Sequence, residues 1–158
     1  DQLVKIEADY YCTNGAIPMA DGGIAAVEGT PMDFRTFSPV GRALRSDFVQ
    51  LRQVGGFNHT YVLRKRERGA LELAASMYDP GSGRKMEVYT TMPGLHFFSA
   101  NKTTPRTGKC GATYDRQFGL CFETQFFSNS AKCTWFPSPV LRKENSYRQV
   151  TEFRFLVS

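Results

Sequence analysis

At 158 residues the chain is long enough for one domain with a real core and too short for two ordinary ones. Hydrophobic residues make up 41% and charged residues 22%, a globular balance that excludes a disordered chain, and no apolar run approaches the length of a membrane span. Net charge is +5, but the only dense basic run, Arg64-Lys65-Arg66-Glu67-Arg68, stands ahead of a glycine and reads as a solvated hairpin loop, so neither a nucleic-acid nor a membrane partner is expected.

The elements follow in chain order. Residues 3–11 alternate and are rich in β-branched and aromatic side chains, which predicts one opening strand. Thr13-Asn-Gly15 and Ala20-Asp-Gly-Gly23 are turn signals bracketing a short segment around Ile17-Pro18, and a strand is expected over residues 24–27. Residues 38–53 hold the only helix-like periodicity, with Val40, Leu44, Phe48 and Leu51 three or four apart. Gly55-Gly56 then breaks the chain before a strand over residues 57–63. A charged hairpin leads to another over 70–77, and Asp79-Pro-Gly-Ser-Gly83 is a strong turn. Strands are expected over 85–91 and 95–100, divided by Pro93-Gly94. A loop over 101–112, a strand around Glu123, a loop containing Trp135-Phe-Pro-Ser-Pro139 and a closing strand over 147–157 complete the pattern. Many short strands with regular turn signals indicate an all-β sandwich or barrel.

Most candidate chemistry has a simpler reading. The four cysteines (Cys12, Cys110, Cys121, Cys133) contain no C-x-x-C pair and there are two histidines, so no structural zinc site is expected. Two disulfides in a secreted protein and four reduced thiols both remain open. The Asn58 and Asn101 sequons permit secretion without favouring it. Gly81-Ser-Gly-Arg-Lys85 lacks the phosphate-loop spacing, Ser82 and Ser99 lack a G-x-S-x-G context, and Cys121, conceivably a nucleophile with His59 or His96, is better read as a small buried hydrophobe. In Gly119-Leu-Cys-Phe-Glu-Thr-Gln-Phe-Phe127 a two-residue period puts Leu120, Phe122, Thr124 and Phe126 on one face and Cys121, Glu123, Gln125 and Phe127 on the other. A lone carboxylate in an apolar strand is either solvated or part of a polar site.

Four motifs in order decide the matter. They are Gly56-Phe-Asn-His-Thr-Tyr61, Ser82-Gly-Arg-Lys-Met-Glu-Val-Tyr-Thr-Thr-Met-Pro-Gly94, Phe98-Ser-Ala-Asn101 and Gly119-Leu-Cys-Phe-Glu-Thr-Gln125. Their order and spacing resemble the C-terminal half of the aldose 1-epimerase (galactose mutarotase) family, with support from Glu7-Ala-Asp-Tyr10, Val27-Glu-Gly-Thr-Pro-Met-Asp-Phe34 and Phe136-Pro-Ser-Pro-Val-Leu141. The resemblance implies a galactose mutarotase-like β-supersandwich acting without a cofactor on a free aldohexose, galactose or glucose. By the same resemblance, Glu123 stands where the family keeps its general base, and Asn58 and His96 stand at two sugar contacts. The family has Asp at the first contact and Gln at the second, so both are altered here.

The resemblance also implies that residues 1–158 form a single domain, the C-terminal half of the sandwich. The general-acid histidine would then belong to an N-terminal half absent from this chain. The chain opens on Asp1 rather than Met, as expected of a processed, excised or incompletely traced product. A half-sandwich exposes sheet edges, so a second chain carrying the N-terminal half, or a larger complex, is the expected protein partner. The alternative function is a catalytically decayed, sugar-binding or structural subunit of a larger assembly.

Overall fold

The computed structural model describes residues 1–15 and 20–157. The alternating segment at residues 3–11 folds as two strands, not one. β1 (Leu3–Ile6) and β2 (Ala8–Asn14) part at Glu7 and enter different sheets. Glu7 anchors the crossing through its backbone, its N–H donating to the Ala74 carbonyl at 2.9 Å and its carbonyl accepting from Arg64 N–H at 2.8 Å. β1 buries Val4 and Ile6 in alternation, whereas β2 bulges between Ala8 and Tyr10 and buries Ala8, Tyr11, Cys12 and Asn14.

The remaining strands are β3 (Ala20–Ala26), β4 (Ser38–Pro39), β5 (Asn58–Leu63), β6 (Glu72–Asp79), β7 (Arg84–Thr90), β8 (Gly94–Phe98), β9 (Arg106–Thr107), β10 (Thr113–Tyr114), β11 (Cys121–Gln125) and β12 (Thr151–Val157). One five-stranded sheet has the order β12-β7-β6-β1-β4 and the other β11-β8-β5-β2-β3, with β9 and β10 forming a small ribbon. Every recorded pairing is antiparallel. The expected all-β sandwich is therefore the observed one.

The core lies between the two large sheets. Val4, Ile6, Ala74 and Val88 face Tyr61, Leu95, Phe97 and Phe122 across it. Phe97 joins the layers, with its ring centroid 4.9 Å from Phe57, 5.8 Å from Phe34 and 5.2 Å from the stacked Phe122. Tyr61 is wholly buried and donates its hydroxyl to the Met32 carbonyl at 3.0 Å, which is what a buried phenol requires.

Local differences from the sequence reading have identifiable causes. Ala20-Asp-Gly-Gly23 is not a turn but the body of β3, with Gly22 at φ +90°; the segment around Ile17-Pro18 lies outside the described residues. The helical periodicity over 38–53 becomes two short helices, α1 (Val40–Leu44) and α2 (Val49–Val54). Ser46 ends the first by donating its hydroxyl back to the Ala43 carbonyl at 2.7 Å. Phe127 keeps to the outer face, close to Thr60 and Gly94, but lies beyond the end of the strand that carries Glu123. β11 stops at Gln125, and Phe127 turns into a second small cluster with Cys12, Cys133 and Phe136.

At one margin the sandwich is open. In register with Val88 and Met86 of β7 stand Phe153 and Phe155 of β12, which puts them on the core-facing side. No strand of the opposite sheet covers them, and Phe155 is 77% and Val157 83% exposed. β11 forms the matching margin of the other sheet, joined to β12 by a 2.5 Å hydroxyl contact between Thr124 and Thr151.

Candidate functional site

β5, β8 and β11 lie side by side, and their register brings distant residues together. Thr60 stands opposite His96, and His96 opposite Glu123. Because Phe97 and Phe122 point into the core, the alternate residues His96 and Glu123 point away from it. Asn58 and Thr60 share that outer face.

The start of β5 is held by a buried polar lock. Asn101 Nδ2 donates to the carbonyls of Val54 (3.2 Å) and Phe57 (2.8 Å), while Ser99 Oγ donates to Asn101 Oδ1 at 2.6 Å and accepts from Phe57 N–H at 2.9 Å. Gly56 has φ +143°, and a Cβ there would fall 2.2 Å from Asn101 Oδ1, so only glycine fits. The Gly56-Phe-Asn-His and Phe98-Ser-Ala-Asn motifs are thus two sides of one device that fixes the backbone ahead of Asn58. The Asn101 amide is committed to the interior, which leaves no room for a glycan on the folded chain at that sequon.

A hydrogen-bonded chain crosses the face. His96 Nε2 lies 3.0 Å from Asn58 Oδ1 and Nδ1 lies 3.0 Å from Thr60 Oγ1, which in turn is 2.8 Å from Ser128 Oγ. An amide oxygen only accepts, so Nε2 carries the proton and Nδ1 is the acceptor. Thr60 then donates to His96, and Ser128 to Thr60. Both ring nitrogens are satisfied by a neutral imidazole. Burial favours that neutral form by pushing the His96 pKa down, against a weaker opposing pull from Glu123.

Glu123 itself is exposed. Among the described residues its carboxylate has no hydrogen-bond or ion-pair partner, so it is free to act on whatever occupies the face. Two strands away on the same face, the half-buried Asn58 keeps its amide nitrogen available, with Oδ1 turned to His96. A cavity of about 200 Å³ opens here, walled by Cys12, Asn14, Asn58, Thr60, His96 and Ser128 among others.

The structure therefore brings Asn58, His96 and Glu123 onto one face. Thr60 could have been found from the sequence, because it shares a strand face with Asn58. Ser128 and Asn14 could not, since nothing local marks a contact across 68 or 44 residues.

The remaining histidine and the cysteines do not form a nucleophilic pair. His59 is 1% exposed, with its ring 5.8 Å from Tyr11 in an edge-on contact, and burial drives its pKa down to about 3. Its Nδ1 accepts from Asn58 N–H at 3.1 Å and its Nε2 has no partner among the described residues. The Cys121 thiol is pushed up by burial and then by Glu123, which disfavours the thiolate. All four cysteines are free, Cys12 and Cys133 being buried. No cluster of three metal-ligating side chains occurs among the described residues.

The face can be set against known proteins. The sequence profile of the aldose 1-epimerase family matches residues 1–154. Galactose mutarotase from Sus scrofa is 34% identical over the whole chain, and aldose 1-epimerase from Escherichia coli (strain K12) is 30% identical over 97% of it. This chain spans 44% of the length of each. Among solved structures, an aldose epimerase homologue from C. elegans superposes with a TM-score of 0.86 at 21% identity, over 99% of this chain and 46% of its own. Galactose 1-epimerase from Lactobacillus acidophilus superposes with a TM-score of 0.72 at 22% identity, covering 44% of that chain. The fold is galactose mutarotase-like, and the chain belongs to the aldose 1-epimerase family.

Proposed function

We propose that the chain acts as the C-terminal part of an aldose 1-epimerase, interconverting the α and β anomers of a free hexose such as galactose, with Glu123 as general base. The observation that carries this reading is the position of Glu123: exposed, without a partner among the described residues, directly opposite His96 and on the same face as Asn58 in a family member. In the reaction Glu123 takes the proton of the anomeric hydroxyl while an acid protonates the ring oxygen. The C1–O5 bond breaks, the aldehyde rotates about C1–C2, and reclosure on its other face returns the protons. The acid is not His96, whose two nitrogens are engaged by Asn58 and Thr60. It comes instead from the remaining half of the sandwich, carried by a second chain or by the rest of a longer one.

Asn58 and His96 are sugar contacts in this reading. With Oδ1 held by His96, Asn58 offers its amide N–H₂ to a sugar hydroxyl, where the family's Asp would accept from one. The exchange replaces a charge-assisted hydrogen bond with a neutral one, a difference of about 1 kcal/mol. Polarimetry of freshly dissolved α-galactose tests the whole proposal. The assembly containing both halves accelerates the drift in rotation and its Glu123→Gln form does not; equal rates would end the proposal.

A second reading rests on the saturated His96 and the loss of a carboxylate at residue 58: a sugar-binding subunit without chemistry. Calorimetric binding of galactose with no polarimetric rate would select it.

A further inference from the structure

A second cavity, larger than the one beside His96, lies elsewhere on the protein. It is a trough of about 880 Å³ that shares no lining residue with the smaller cavity, and its size lies within the range of about 300–1,000 Å³ usual for small-molecule sites. It runs between the β7–β8 turn, the basic loop after β5 and the segments that follow β11 and precede β12. Buried Leu63, Met92 and Phe127 make its floor, and the more exposed Leu71, Phe126 and Tyr147 its walls. Phe126 and Tyr147 face each other with ring centroids 6.4 Å apart, tilted by 33°.

The polar groups of the trough are of one sign. Lys65, Arg68 and Arg148 line it, and among the described lining residues there is no carboxylate. Lys65 turns its ammonium onto the carbonyls of Ala70 and Thr90, which leaves it structural. Arg68 and Arg148 are different. Both are exposed, and neither has an ion-pair or hydrogen-bond partner among the described residues. Two unengaged guanidiniums over an apolar floor call for an apolar body with an anionic head, the planar fork of arginine matching a carboxylate.

We infer that this trough binds an anionic amphiphile, specifically the carboxylate of a medium-chain aliphatic acid, with the tail against Met92 and Phe127 and the head between Arg68 and Arg148. The site is independent of the sugar face and of the proposed epimerase reaction. Its occupant is chosen by charge complementarity: a neutral lipid would leave both arginines unanswered, and a hydrophilic anion would leave the floor dry and empty.

Calorimetry of the purified chain with decanoate, octanoate and decanol tests this. The expected result is saturable one-to-one binding of decanoate, about tenfold or more tighter than octanoate because each buried methylene contributes about fourfold. Decanol binds more weakly than decanoate. Arg68→Gln and Arg148→Gln together weaken decanoate by about tenfold or more without moving the thermal midpoint, and Leu71→Asp abolishes binding. Galactose does not compete. Absence of saturable binding, equal affinity for decanol, indifference to the arginine substitutions, or displacement by galactose would each overturn the assignment.

Discussion

His96 Nε2 donates to Asn58 Oδ1 across 3.0 Å, joining β8 to β5 on the outer face of the sheet. The contact couples the two residues chemically. The amide oxygen of residue 58 accepts from a proton on Nε2, and burial favours the neutral ring whose Nδ1 is open to Thr60. A carboxylate at residue 58 would instead favour the imidazolium. The two residues proposed as sugar contacts therefore suit one another, and a change at either alters the other.

Asn58→Asp checks this coupling. The charge placed beside His96 raises its pKa, and an NMR titration of the His96 ring protons reads the shift against the parent chain. An unchanged titration would mean that the pair is not in contact in solution.

Glu123→Gln separates chemistry from folding. The side chain is exposed and unpaired, so thermal stability stays within about 0.5 kcal/mol of the parent. If the proposed reaction holds, the mutarotation rate of the two-half assembly falls by about 10²–10⁴, the usual contribution of a positioned base. The two readouts are polarimetry and calorimetric unfolding of the same preparation.

The buried His59 predicts how stability depends on pH. Its folded pKa is depressed to about 3 from an ordinary 6.5, so the unfolded chain binds the proton first as the solution is acidified. Stability is complete above the unfolded value and is lost as pH falls through the window between the two. For His59 alone the loss reaches about 2 kcal/mol at pH 5. His96, shifted in the same direction, adds to it. Urea denaturation at pH 7 and pH 5 measures the loss, and His59→Phe, which keeps an aromatic ring against Tyr11, reduces it.

Asn101→Ala removes the lock ahead of β5. Two backbone carbonyls and Ser99 lose their partner in a buried place, at a cost of about 1–3 kcal/mol. Galactose binding weakens as well, because the lock holds the backbone leading into Asn58. Urea denaturation and calorimetry on the same variant check both effects.

Phe155→Lys tests the open margin. A residue that is 77% exposed contributes little to the folded chain, so stability changes by less than about 0.5 kcal/mol. Self-association of the isolated chain, followed by sedimentation velocity, decreases as the apolar edge is interrupted by charge.

Much of this architecture was legible because it is written locally. The strands around Asn58, His96 and Glu123 are marked by their composition and turn signals, and the motifs that carry them lie within single strands and their flanking turns. What was hidden is non-local. The crossing at Glu7 carries no glycine or proline to mark it, so one expected strand proved to be two in different sheets. The break between α1 and α2 depends on Ser46 turning back on the chain, which an apolar period does not register. Phe127 kept the period of β11 on paper but lies beyond its end, drawn into contact with Phe136. The pairing of His96 with Asn58 spans 38 residues and needed the register of two strands.

Glu123 rides on the outermost strand of its sheet. Among the described residues β11 has β8 as its only ladder neighbour, and on the other side Thr124 meets the side chains of Thr151 and Gln149. Alternate backbone amides of β11 therefore point outward, where isotope exchange is faster than for the amides turned toward β8. A polypeptide that lies down along this margin would slow that exchange and stiffen the carboxylate in one motion. Docking and chemical competence would then be read from the same few protons.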